Sequence, residues 1–343
     1  MHQNHAIQAI LDGALAGRAP SREESVALLT LPEHSPEARH LMAVADQVTR
    51  VRFGNDAVLF GQIGVETAPC PGECDFCTFN RKLGRATTER LSVEEVVDKA
   101  RAFTASGDLF ALFLMTMHNW DVDLIEATVR AVRDVIPGHT KLVVNVGDFG
   151  LDRGKRLRDL GVSGAYHVRR LGEGRDTALR PESRLRTYEV IRESGLDLYT
   201  CVEPIGPEHG PEELAEQMWL GVDAESFQHA AMRRVSFDGS PLAARGMITN
   251  LRLAQITAVV ALTSLRSRRT TNIAVHEPNL LGLVSGANAI YAEAGANPRD
   301  LAKDTSQSRG FDVTRAKQML RDAGFTRLRR GDGSHTPLES AGA

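Results

Sequence analysis

Three of the four cysteines in this chain, Cys70, Cys74 and Cys77, fall inside eight residues, Cys-Pro-Gly-Glu-Cys-Asp-Phe-Cys. Thiolates are soft metal ligands, and three on one loop can hold three corners of a [4Fe-4S] cube. The fourth iron then has no protein ligand and stays open. Intervals of three and two residues differ from the spacing of a four-cysteine ferredoxin and from the paired two-residue hooks of structural zinc. Two plainer fates are open to such thiols: a zinc site, or burial as small apolar groups.

The chain around this loop reads as alternating strands and helices. Strands are expected from Ala57 to Val65, Ala111 to Met115, Lys141 to Val146 and Gly164 to Val168. Four more follow at Leu198 to Glu203, Phe227 to Val235, Thr271 to Val275 and Ala289 to Ala292. Helical periodicity fills most of the intervals, and Ser92 with Glu95 forms a capping box that opens the first of them. Eight such units predict an α/β fold, a (β/α)8 TIM-type barrel; an incomplete barrel of six repeats is the runner-up. Residues 1–50 read as an N-terminal helical cap, with a second capping box at Ser21 and Glu24. Residues 51–330 are the expected barrel domain, and the Gly-, Ser- and Pro-rich 331–343 a short disordered tail.

Composition narrows the partners. A formal charge of −3 gives no reason to expect nucleic acid. No stretch is long enough to cross a bilayer, and the N-terminus lacks the basic start and apolar run of a signal peptide. So few cysteines argue against a secreted disulfide scaffold, and a cytoplasmic location is expected.

Cys70-x3-Cys74-x2-Cys77, followed by Phe79, resembles the signature of the radical S-adenosylmethionine (SAM) enzymes. The resemblance implies a [4Fe-4S] cluster on those cysteines and S-adenosyl-L-methionine chelated at the open iron. It further implies one-electron cleavage to a 5′-deoxyadenosyl radical and an external electron donor such as flavodoxin or ferredoxin. Much of residues 50–325 is similar to the biotin synthase-like branch of that superfamily, including Ala287 to Tyr291 and Asn297-Pro298. By this likeness Arg184 matches the arginine that grips the SAM carboxylate, and Glu173 the acid at its ribose. Ile205 and Gly206 close against the adenine, with Phe76 packed nearby, and Thr116 falls where backbone groups meet the methionyl amine. The resemblance leaves room for a homodimer.

Biotin synthase builds a second, [2Fe-2S] cluster from three further cysteines and an arginine. This chain has Cys201 at one such place, Leu114 and Val143 or Val144 near two others, and His276 near the arginine. One cysteine and one histidine cannot complete that set, so sulfur insertion by that route is not expected. What remains is a barrel mouth with room for an organic substrate among His118, Asn145, Asp148, His167, Arg169, Arg233, His276 and Glu277. Catalytic roles are expected among Cys201, His118, His167, Arg169 and His276, with Cys201 as a hydrogen-atom donor. The expected function is hydrogen abstraction from a small polar metabolite, followed by rearrangement, lyase or epimerase chemistry in cofactor or natural-product biosynthesis. Sulfur insertion and a non-catalytic role in cluster maturation are the alternatives.

Overall fold

The structure, a computed structural model, describes residues 2–84, 86–276, 278–293 and 311–338. Glu277, Asn297, Pro298 and residues 339–343 lie outside the described residues. Three helices come first, α1 (His2–Leu15), α2 (Arg22–Thr30) and α3 (Pro36–Phe53). The chain then enters β1 (Asp56–Gly64), and a small ribbon of β2 (Glu66–Thr67) and β3 (Glu89–Arg90) brackets the cysteine loop.

The parallel ladder continues through β4 (Ala111–Met115), β5 (Lys141–Asn145), β6 (Gly164–Tyr166), β7 (Asp197–Tyr199), β8 (Val202–Ile205), β9 (Gln228–Arg233), β10 (Asn272–His276) and β11 (Ala289–Ala292). β11 returns to β1, with Val58 opposite Ala289 and Gly61 opposite Ala292, so the barrel is closed and the six-repeat alternative is excluded. The strand expected from Leu198 to Glu203 is broken in two. β7 and β8 share one stave, and the register against β9 shifts between Val202 and Ile205, a bulge-like irregularity at the barrel rim. Helices α4 (Val93–Thr104), α5 (Val122–Arg133), α6 (Leu151–Asp159), α7 (Pro181–Glu193), α8 (Pro211–Asp223), α9 (Asn250–Thr263), α10 (Leu280–Leu283) and α11 (Val313–Asp322) follow the staves in turn. Both predicted capping boxes form, at Ser21 with Glu24 and at Ser92 with Glu95.

Strand alternation builds two cores. Leu59, Ile63, Leu112, Leu114, Leu142 and Val144 face the helices, while Val58, Phe60, Phe113, Val143 and Tyr199 fill the lumen. The lumen is plugged by rings set edge to face: Phe60 meets Phe113 at 5.4 Å and Phe113 meets Tyr199 at 5.3 Å. Such pairs contribute about 0.5–1.5 kcal/mol each beyond their buried area. The lower barrel is therefore solid, and ligand space is confined to the top.

The N-terminal helices pack on the outside. Buried Gln255 on α9 donates to the carbonyls of Leu28 and Leu31 at 3.0 and 2.9 Å. Arg52 donates to those of Ser264, Ser267 and Thr270 at 2.6–2.9 Å, below β10. The tail departs from expectation. Residues up to Leu338 are ordered, because β12 (Arg327–Arg329) joins the lower edge of β1 and pairs antiparallel with β13 (His335–Pro337). Buried Asp56 anchors that hairpin through Arg327 at 2.9 Å and His335 at 2.7 Å. Among the described residues no helix is long and apolar enough to cross a membrane.

Candidate active site

The cysteine loop lies across the C-terminal mouth of the barrel, the end where (β/α)8 folds gather their chemistry. Its backbone folds on itself: Cys70 N–H donates to Phe79 O at 2.7 Å and Cys77 N–H to Cys74 O at 3.0 Å. It is also pinned from two neighbouring loops. Asp75 N–H reaches Asp176 O at 2.9 Å, Ala178 N–H reaches Gly72 O at 2.8 Å, and the Ser240 hydroxyl reaches Asp75 O at 2.7 Å.

The three thiols are half-buried and none is in a disulfide. Burial pushes the Cys74 thiol up to about 12, with Cys77 and Cys70 close enough to raise it further and the Arg170 cation opposing. Three neighbouring thiols that resist ionisation on their own would be held as thiolates by a bound positive centre. Among the described residues no three His, Cys, Asp or Glu side chains gather tightly enough to cage one metal ion. Three soft thiol donors on one loop fit, by their chemistry, a centre that takes three protein ligands.

Under the loop is a cavity of about 250 Å³. Phe76, Cys77 and Thr78 roof it, and Asn145, Tyr166, Arg170, Glu203, His276 and Tyr291 lie among its walls and floor. Glu203 is the centre of the floor. Its carboxylate accepts the Tyr166 hydroxyl at 2.7 Å and faces the Arg170 guanidinium at 3.3 Å. His276 stacks on Tyr291 at 4.4 Å, and burial pushes it down to about 4, so it is neutral at pH 7.

Beside the cavity Asp148 organises a second group. One of its oxygens accepts from His167 at 2.9 Å, Arg184 at 2.8 Å and Thr187 at 3.1 Å. Burial opposes ionisation there, but the His167 hydrogen bond and the Arg184 cation hold the carboxyl well below the usual range. Burial and Arg184 push His167 down to about 3. Arg184 is itself buried and also donates to Val168 O at 3.2 Å. His118 belongs to this group, being held neutral by burial and by Arg184. It crosses Gly147 so closely that a Cβ there would meet its carbonyl oxygen at 1.8 Å.

The expected site residues divide accordingly. Cys77, Phe76 and His276 meet in the cavity, while Arg184, His118 and His167 meet around Asp148. Glu173 lies within 3.9 Å of Arg184, and its carboxylate already accepts Arg170 N–H at 2.7 Å. Arg169 turns outward to Gln217 at 3.0 Å, and Ile205 packs with the helix-side core. The N–H of Gly206 is taken by His209 at 2.8 Å, and that of Thr116 by Asn145 O at 2.9 Å. Cys201 is buried in the lumen against Tyr166 and Glu203, one layer below the cavity. Of the positions compared above with the auxiliary cluster, Leu114 and Val144 face the helices and Val143 faces the lumen.

Tyr166, Arg170 and Glu203 line the cavity although the sequence assigns them no catalytic role. For Glu203 a signal existed, since it stands two residues after Cys201 and shares its inward parity. Arg170 follows the end of β6, where parity no longer applies.

No family model matches the chain. It is 26% identical to a biotin synthase of a Nocardioides species over 93% of this chain and 85% of that protein. With the biotin synthase of Renibacterium salmoninarum the identity is 24%, over 92% of each. Among solved structures, methylornithine synthase superposes with a TM-score of 0.75 at 16% identity, covering 92% of this chain and 96% of that one. The FeFe-hydrogenase maturase HydG from Carboxydothermus hydrogenoformans gives 0.76 at 19%, covering 93% and 78%. These superpositions speak for the fold. Repeated sequence matches over more than nine-tenths of the chain, with the closed barrel and the three-cysteine loop at its mouth, support assignment to the radical SAM superfamily, on its biotin synthase-like side.

Proposed function

We propose that this chain is a radical SAM enzyme that holds a [4Fe-4S] cluster on Cys70, Cys74 and Cys77 and removes a hydrogen atom from a small polar metabolite. When bound, the cluster and S-adenosylmethionine supply the 5′-deoxyadenosyl radical. The observation that carries the proposal is the placement of the cysteine loop as the roof of a cavity with a polar floor.

The chain's own residues then have three tasks. Arg184, tied down by Asp148 at 2.8 Å, keeps a cation beside the roof, suited to the carboxylate of the cofactor. Phe76 supplies an apolar wall, and the solid aromatic lumen beneath keeps the ligand against the roof. Arg170, Glu203, Asn145 and His276 offer a cation, an anion, an amide and a neutral imidazole to the substrate. Such a mixture suits a molecule with several polar groups, and rearrangement, lyase or epimerase chemistry is the proposed outcome. Cys201 lies behind Tyr166 and Glu203, so those two side chains meet the substrate before the thiol does.

The test is anaerobic reconstitution with iron and sulfide, then reduction by dithionite in the presence of S-adenosylmethionine. Release of 5′-deoxyadenosine is expected, and its loss in Cys74→Ala. Protein that takes up no iron under those conditions, or that binds one zinc in its place, would overturn the proposal.

A further inference from the structure

Arg169 and Arg170 stand side by side after β6, and the fold sends them opposite ways. Arg169 is gripped at three points from the helix layer. Its N–H donates to the Tyr188 hydroxyl on α7 at 3.0 Å, and its guanidinium donates to the Gln217 side-chain oxygen on α8 at 3.0 Å. The Gln217 amide returns a bond to the Arg169 carbonyl. Tyr188 and Gln217 are both buried, and the Tyr188 hydroxyl is fixed in turn by Thr200 at 2.7 Å. With its N–H, carbonyl and side chain all held outward, Arg169 leaves the next side chain turned to the cavity.

Arg170 arrives there among charges of both signs. It faces Glu203 at 3.3 Å, its own N–H donates to Glu173 at 2.7 Å, and it lines the cavity together with Cys77. Among charged groups it acts on the Cys74 sulfur more strongly than Cys77, Cys70 or Glu173 do. Nearby, Arg184 is paired with Asp148 at 2.8 Å. Glu203, Glu173 and Asp148 are thus set against Arg170 and Arg184, and the carboxylates already outnumber the cations. Without Arg170 the surroundings of the cysteine loop would be more negative still. Iron–sulfur potentials follow the net charge around the cluster, and an electron enters a more negative site less readily.

We infer that Arg170 raises the reduction potential of the cysteine-bound cluster against the surrounding carboxylates, and that Gln217 is a positioning residue that turns Arg170 there through Arg169. This rests on the cluster proposed above.

The test is a redox titration of reconstituted protein without S-adenosylmethionine, in which one electron passes from dithionite to the cluster. Electron paramagnetic resonance counts the reduced form. At the potential that half-reduces the native cluster, the reduced-to-oxidised ratio should fall about tenfold in Arg170→Gln and stay within about twofold in Arg170→Lys. Glu203→Gln removes a facing carboxylate and should raise the ratio, which keeps the test in hand where Arg170→Gln does not fold. Gln217→Leu leaves Arg170 in the sequence and should lower the ratio about threefold. Tyr188→Phe keeps the ring, cuts one bond to Arg169 and should lower it too. Exposed Arg101→Gln on α4 should match native protein. A native ratio in Arg170→Gln or Glu203→Gln overturns the inference, as does an equal fall in Arg170→Lys or Arg101→Gln. Native ratios in folded Gln217→Leu and Tyr188→Phe overturn the positioning through Arg169. Native protein that assembles no cluster overturns the proposed function instead.

Discussion

Asp148→Asn is the most informative single change, because one carboxylate oxygen holds three elements together. It accepts from His167 after β6 and from Arg184 and Thr187 on α7. Asparagine keeps an oxygen in place and removes the charge. At 2.8 Å the lost attraction to Arg184 is about 6 kcal/mol gross for an effective dielectric near 20. Two features reduce that. The Asp148 side chain is 27% exposed, and Glu173 remains 3.9 Å from Arg184. A net loss of about 2 kcal/mol is expected, below the ~3–5 kcal/mol of a fully buried broken pair. Thermal unfolding by circular dichroism at pH 7 should show it as a drop of several degrees. The folded carboxyl titrates below its unfolded value, so its stabilisation is complete above pH ~4 and is lost as the pH falls through the folded value. The gap between native and variant protein should therefore narrow only in acid. Binding of S-adenosylmethionine by equilibrium dialysis should weaken about tenfold, as Arg184 loses its anchor. If Asp148→Asn matched native stability within about 0.5 kcal/mol, or Thr187→Val cost as much, the charge would not be what joins these elements.

Three other outcomes are expected. Anaerobically reconstituted protein should carry about four irons per chain, and alanine at Cys70, Cys74 or Cys77 should remove most of them by iron assay. Replacing Arg184 should lower S-adenosylmethionine affinity while sparing iron content, whereas exposed Arg186 should tolerate replacement; dialysis on both variants separates them. His167, His229 and His276 are held by burial at about 3, 4 and 4, below their unfolded value near 6.5. The unfolded chain then binds more protons, so stability is full above pH ~6.5 and falls by up to ~1.4 kcal/mol per pH unit for each as the pH drops toward their folded values. Urea melts between pH 4.5 and 7 measure the slope, and His276→Asn should flatten it.

Much of the frame is visible in the residues alone. Continuous apolar runs such as Ala111–Met115 read as strands covered on both faces, and their alternation with capped helices points to an α/β barrel, complete or not. The cysteine loop is legible for a similar reason: ligand spacing is a local property, set by a few covalently joined residues. Arg184 could be picked out only by its likeness to a known motif, and its partner Asp148 stands 36 residues away.

Tertiary structure decided what depends on distance across the barrel. No local pattern says that Glu203 reaches the hydroxyl of Tyr166, 37 residues earlier, or that Arg170 faces it while Arg169 turns to Gln217. Strand parity sorts inward from outward residues only up to the end of a strand, and the site is built where the strands stop. Closure was also a tertiary outcome, since pairing β11 to β1 joins residues more than 200 positions apart. The same holds for the tail, whose polar, Gly-rich sequence reads as disordered until the lower edge of β1 and the buried Asp56 give it partners. Short-range chemistry specified which elements form and where a metal-binding loop stands. The choice of side chains that share a cavity came from how the staves close around it.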